Sequence, residues 1–207
     1  MLSCLGKLFA TISNVRLTEF CDDKFVLREM QAGFRQRYCT TDHVFVIKSL
    51  IALFQFKKKK FYCLCAGYRK ASNLVWRDAL WYKLIKVKID GKILKFIRNM
   101  YSNTKSCVSD NQELSHYLIS YPGVRQGENL SSHLFSLYVN DIEEQLLMNN
   151  CNYVTIGDKW IDDMLKILVL MYADDTVELA DSEAGIANAP KAMEIYCDKW
   201  RLAKHQM

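Results

Sequence analysis

The residues best placed to do chemistry are two adjacent carboxylates, Asp174 and Asp175, in the tetrapeptide Tyr172-Ala173-Asp174-Asp175 between two apolar runs. Carboxylates side by side repel, and a turn ordinarily places one Asp followed by Gly or Asn. A cation resolves that repulsion, and hard oxygen donors suit Mg²⁺ or Mn²⁺. Standing alone, the tetrapeptide reads more readily as a solvated hairpin tip. Two glycine–arginine segments accompany it. Gly123-Val124-Arg125-Gln126-Gly127-Glu128 opens a helix. There the glycines let backbone approach a ligand closely, Arg125 brings a cation, and Gln126 both donates and accepts hydrogen bonds. Gln31-Ala32-Gly33-Phe34-Arg35 is a second such loop, of a composition suited to phosphate. Taken singly each segment is weak evidence, because loops of this kind are common and most are structural.

The elements that must position these residues can be read from apolar periodicity. Lys166 to Met171 and Thr176 to Ala180 read as two strands around the acidic turn, and Phe61 to Ala66 as an apolar strand buried on both faces. Val44, Ile47, Ile51 and Phe54 make one helical face, with Thr40 or Thr41 as N-cap. A helix is expected over about 78–87, with Leu80, Trp81, Leu84 and Ile85 inward. Asp90 caps another that aligns Ile93, Leu94, Ile97 and Tyr101. Ser106 to Ser120 reads as a strand pair turning near Asp110–Gln112. One long helix then carries Leu130, Leu134, Leu137, Ile142 and Leu146 on one side. The last helix, Glu183 to Leu202, contains Pro190, which should kink it. The mixture of helices with hairpins predicts an α+β fold.

Charge and cysteine usage narrow the classes further. Half of the 207 residues are hydrophobic and a quarter charged, which excludes disorder as the main state. Residues 1–105 carry 21 Lys/Arg against 7 Asp/Glu, and residues 106–207 carry 7 against 16. That asymmetry suggests a basic surface for a polyanion beside an acidic site. The run Lys57 to Lys60 grips a nucleic-acid backbone on one reading and is a solvated helix end on the other. The eight cysteines are scattered, with Cys63 and Cys65 the only close pair and no zinc-ligand spacing. Reduced, mostly buried thiols in an intracellular protein are expected, with no signal peptide and no apolar run long enough for a membrane.

The order of the motifs adds specificity. With Leu2-Ser-Cys-Leu-Gly-Lys-Leu-Phe9, Gln31 to Arg35, Thr40-Thr-Asp-His43, Val75-Trp-Arg-Asp78, Gly123 to Ser131 and Tyr172 to Val177 in this sequence, the chain resembles the reverse transcriptase of non-LTR (LINE-type) retrotransposons. The resemblance runs from Leu2 to about Leu202. It implies a right-hand polymerase whose palm is an antiparallel sheet backed by helices. Fingers-like parts would cover about 1–60 and part of 105–125, and palm-like parts about 61–104 and 123–207. The thumb and the remaining palm motifs would lie beyond this sequence. The family joins a DNA primer to deoxynucleoside triphosphates on an RNA template, using two divalent ions. On matching positions, Asp174 and Asp175 would be the catalytic, metal-binding pair and Tyr172 would lie near the primer. Gln126, Gly127 and Arg125 would position template and nucleotide, and Arg35 would contact the triphosphate.

The sequence departs from the family pattern at one heptapeptide. Where the resemblance implies Asp-x-x-x-Ala-Phe-Asp, this chain reads Gly67-Tyr68-Arg69-Lys70-Ala71-Ser72-Asn73. The carboxylate shared by both ions has become Gly67, the aromatic beneath the nucleotide sugar has become Ser72, and the second acid has become Asn73. Asp78 is the nearest other acid in sequence. Ser132 replaces a proline, and Glu178 puts a charge at an apolar strand position. The expectation is therefore an inactive or severely impaired polymerase domain. The alternative is a catalytically dead remnant that at most holds RNA or DNA on its basic half.

Overall fold

The computed structural model describes residues 4–110, 113–119, 121–125, 127–157 and 165–204. In chain order the elements are α1 (Cys4–Asp23), α2 (Thr40–Phe56), β1 (Tyr62–Arg69), α3 (Ala71–Leu74), α4 (Arg77–Lys86) and α5 (Gly91–Ser102). Four short strands follow: β2 (Lys105–Ser106), β3 (Ser109–Asp110), β4 (Glu113–Leu114) and β5 (Leu118–Ile119). The chain continues through α6 (Asn129–Val139), α7 (Ile142–Met148), β6 (Val154–Ile156), β7 (Leu165–Ile167), β8 (Val169–Tyr172) and β9 (Asp175–Ala180). It closes with α8 (Glu183–Ala187), α9 (Ala189–Trp200) and β10 (Ala203–Lys204). The expected α+β class holds. The principal sheet is antiparallel, in the order β10-β1-β9-β8.

Strand alternation gives this sheet two different faces. One carries Leu64, Ala66, Tyr68, Val169 and Met171 into the main core, under helices that supply Leu17, Leu80, Leu84, Leu134, Tyr138 and Tyr196. The other carries Leu170 and Leu179 against Leu50 and Phe54 of α2 and Val154 of β6. α2 covers only part of that second face. Cys63 and Cys65 stay exposed there, so β1 is not buried on both faces as its apolar run suggests. Apolar composition reports what a strand could bury, but not whether a second layer reaches it.

Several expected elements are placed differently for local reasons. α2 is capped by Cys39, whose backbone N–H donates to Asp42 Oδ2 at 2.7 Å, rather than by Thr40 or Thr41. Its buried positions are Leu50 and Phe54, whereas Val44 and Ile51 are exposed. In α4 and α5 the inward residues are as expected except Ile85 and Ile93, which face solvent. The strand pair over 106–120 forms as β3–β4 and β2–β5, with the tip at 111–112 outside the described residues. The single helix expected after residue 129 divides at Asn140–Asp141, where the Asp141 backbone (φ −97, ψ 11) leaves helical values and both side chains bond to distant parts of the chain. Asn140 accepts from Arg28 N–H and donates to Val26 O, and Asp141 pairs with Lys83. Pro190 does not kink a helix but sits in the first turn of α9, where its missing N–H is harmless. Leu165–Ile167 pairs with β6 and only Val169–Tyr172 joins the main sheet, so the strand expected over 166–171 is two. Among the eight free cysteines only Cys21, Cys151 and Cys197 are buried, which corrects the expectation of mostly buried thiols. Among the described residues no helix is long and apolar enough to cross a membrane.

One buried cation holds the helical layer together. The Lys83 ammonium donates to Tyr138 O and Asp141 Oδ1, each at 2.6 Å, and to Tyr196 Oη at 3.0 Å. It also lies 3.9 Å from the Trp200 ring centroid. Burial pushes its pKa down to about 8, against the pull of Asp141. Filling its donor sites is what lets a charge stay inside an apolar layer.

Candidate active-site cleft

The acidic turn is a hairpin tip. Tyr172 pairs with Asp175 across it, leaving Ala173 and Asp174 as the two turn residues. Ala173 has φ 58, a left-handed conformation that costs a residue with a Cβ about 1–2 kcal/mol. The loop at residues 30–33 holds it there. Met171 N–H donates to Met30 O at 2.8 Å, and Ala32 N–H donates to Met171 O at 2.9 Å. A Cβ added at Gly33 would lie 2.2 Å from Ala173 N, so only glycine lets the loop close on the hairpin. The Gln31-to-Arg35 segment thus touches the acidic turn directly.

Asp174 and Asp175 line a cleft of about 490 Å³ with Cys65, Gly67 and Tyr68. Gly67 stands opposite Asp175 in the β1–β9 register. A Cβ built on it would meet nothing within 4 Å except Asp175 Oδ1, at 3.7 Å. A side chain at position 67 would therefore have room beside Asp175, and this chain has a hydrogen atom there. Among the described residues no three His, Cys, Asp or Glu side chains are gathered closely enough to hold a metal ion. Asp78 does not join this cleft; it sits on α4 in the wall of a different cavity.

The Gly123-to-Glu128 segment is fused to the heptapeptide. Gly123 N–H donates to Val75 O at 2.8 Å and Val124 N–H to Ser72 O at 2.7 Å. Gly123 has φ 86, and a Cβ there would lie 2.6 Å from Asn73 O. Gly127, at φ 77, has open space around it, so its backbone alone requires glycine. Arg77 locks this arrangement, donating from Nε to Gly123 O and from Nη1 to Tyr101 O, both at 2.9 Å. Sequence reasoning gives Arg77 no role of its own, because nothing in the Val75-to-Asp78 segment marks it as the partner of a loop 46 residues away.

The remaining expected site residues fall in distinct places. Tyr172 is partly exposed beside the acidic turn. Arg35 is folded over its own loop: Nη1 donates to Arg28 O and Gln31 O, and the guanidinium lies 4.1 Å from the Tyr38 ring centroid. Arg125 turns inward, donating to Met100 O and lying over the Tyr101 ring. Glu128 is buried beside Tyr101 and Ser131, and burial raises its pKa. Gln126 lies outside the described residues.

Beneath the cleft, on the helix-covered face, Thr176 and Glu178 point inward from β9 and are almost fully buried. Neither Glu178 oxygen has a hydrogen-bond partner among the described residues, and burial pushes the carboxyl up to about 8. The charge expected at an apolar strand position is thus held largely neutral at pH 7.

Comparison with known proteins accords with this geometry. The family described as "Reverse transcriptase (RNA-dependent DNA polymerase)" matches residues 1–206. The "Probable RNA-directed DNA polymerase from transposon BS" of Drosophila melanogaster is 26% identical over 218 residues, covering 98% of this chain and 22% of that protein. The "RNA-directed DNA polymerase from mobile element jockey" of Drosophila funebris is 24% identical over 202 residues, covering 97% of this chain and 20% of that protein. This chain thus spans about a fifth of the length of these relatives. Among solved structures, telomerase from Candida tropicalis, in complex with the TWJ fragment of telomeric RNA, matches with a TM-score of 0.65 at 11% identity, over 98% of this chain and 32% of that one. The corresponding Candida albicans telomerase complex gives 0.63 at 13%, over 95% and 34%. These two show a shared fold.

Proposed function

The chain belongs to the reverse transcriptase (RNA-dependent DNA polymerase) family, of the transposon-borne, LINE-type kind, and on that premise we propose that it is a fingers-and-palm unit whose nucleotidyl transfer is lost or severely reduced. In this reading about 1–60 and part of 105–125 are fingers-like, and about 61–104 and 123–207 are palm-like. Its partners are an RNA template, a DNA primer and deoxynucleoside triphosphates. Reverse transcriptases use divalent metal ions, which supply positive charge to the reacting phosphates. Asp174 and Asp175 remain as donors for one Mg²⁺ or Mn²⁺ ion, held weakly. Tyr172 flanks the primer end, Arg35 reaches the triphosphate once released from its loop carbonyls, and Arg125, Gln126 and Gly127 shape the template side.

The observation that carries the reading is the register of Gly67 against Asp175, with room and direction for a carboxylate but none present. The loss of a ligand shared by two ions removes transition-state stabilisation, and each 1.4 kcal/mol lost is about tenfold in rate. What remains is a polyanion-binding remnant. The test is Mg²⁺-dependent primer extension on an RNA template, comparing the chain with a variant carrying Gly67→Asp, Ser72→Phe and Asn73→Asp. Extension only by the repaired chain is expected. Comparable extension by the unmodified chain would sink the reading.

A further inference from the structure

We propose that a second cavity, sharing no lining residue with the carboxylate cleft, is a binding site for single-stranded nucleic acid. It lies between α4, α5, the Tyr121–Pro122 segment and the end of α9, and its volume is about 830 Å³. That falls within the ~300–1,000 Å³ range of ligand pockets, with room for a nucleotide or two but not for a duplex. Its wall combines the two chemistries such a ligand needs. Lys95 and Arg98, three apart on α5, project from the same side of the helix and are exposed. No ion pair among the described residues ends on either of them. Asp78 is the one acid in the described wall, so the cavity is strongly cationic.

The aromatic half is equally specific. Tyr121, at the mouth, is 76% exposed. Trp76 is half-buried beneath the Arg201 guanidinium, which lies 4.1 Å from the indole centroid. Arg201 is itself exposed, so its outer face offers a planar cationic surface on which a base can stack. Arg77, pinned to backbone carbonyls over the Tyr101 ring, makes the floor rigid. An acidic peptide would use the cations but leave the flat aromatic surfaces idle, whereas unpaired bases on a phosphate backbone use both. The site involves none of the cleft residues and does not rest on the state of the cleft.

The experiment is fluorescence anisotropy of a labelled octauridylate in EDTA without nucleotides, over a series of salt concentrations. The parent is compared with Lys95→Ala/Arg98→Ala, with Tyr121→Ala, and with the equally charged control Lys57→Ala/Lys60→Ala. The double cavity variant should lose about tenfold in affinity, and its slope of log K against log salt should fall by about 1.4, the value for two phosphate contacts on a single strand. Tyr121→Ala should lose roughly tenfold with the slope unchanged, because stacking releases no counterions. The control should lose less than either. Lys95→Gln/Arg98→Gln serves as the second variant should the alanine pair unfold early. Undiminished binding by Tyr121→Ala would overturn the proposal, as would an equal loss in the control. Competition by heparin as effective as that by unlabelled octauridylate would overturn it too, by showing that bases are not read. A failed primer extension leaves this readout untouched.

Discussion

Restoring a carboxylate at position 67 should make stability depend on divalent cations about twice as strongly as in the unmodified chain. Gly67 is absent from the residues with positive φ, so aspartate fits its backbone. A Cβ there lies in ordinary contact, 3.7 Å from Asp175 Oδ1. The two carboxylates would then sit roughly 4–5 Å apart, repelling by about 1 kcal/mol in water and about 3–4 kcal/mol at an effective dielectric of 20. The cleft is open and Asp175 exposed, so the lower figure governs. Removing a glycine from a strand interior returns about 0.5–1 kcal/mol. In EDTA, Gly67→Asp should therefore melt within about 2–4 °C of the parent. With Mg²⁺ at about 100 times the dissociation constant of the completed site, the variant gains about 2.7 kcal/mol, whereas a tenfold weaker two-carboxylate site gains about 1.4 kcal/mol. Thermal unfolding of both chains in EDTA and across an MgCl₂ titration reads the difference, a shift of roughly 5–10 °C for the variant and about half that for the parent. Equal Mg²⁺-induced shifts would refute the argument that the missing carboxylate is what the cleft lacks.

Gly33→Ala should lose more than about 2 kcal/mol, because a backbone atom 2.2 Å from the new methyl cannot yield as a side chain would. A urea midpoint that does not move would show that the loop and the acidic hairpin are not locked together. Glu178 tests the buried carboxyl. Its folded pKa, near 8, lies above the ordinary value of 4.5, so the folded state binds the extra proton. Its penalty is absent below about pH 4.5, grows as pH rises, and is complete above about pH 8. Glu178→Met should raise the melting temperature at pH 8, with the gain shrinking towards pH 5. A gain independent of pH would mean that the carboxyl is not held neutral.

The residues alone carried the family, because six motifs in one order make a joint signal that no single loop provides. They also carried the helices around Leu80, Leu94 and Leu134 and the hairpin at Asp174–Asp175, since each rests on local periodicity or turn chemistry. Tertiary structure decided the matters that depend on partners distant in the chain. β1 is as apolar as a strand buried on both faces, yet α2 stops short and leaves Cys63, Cys65 and Gly67 on an open face. One helical stripe from Leu130 to Leu146 became two helices, divided where Asn140 and Asp141 bond sideways to Val26, Arg28 and Lys83. Nothing local marks Gly33 as the residue pressed on Ala173, or Arg77 as the clamp on Gly123. The basic, aromatic cavity joins residues from Trp76 to Arg201. Periodicity tells a side chain that it needs a neighbour, but register and layer packing choose which one, and that choice is made only when the whole chain has folded.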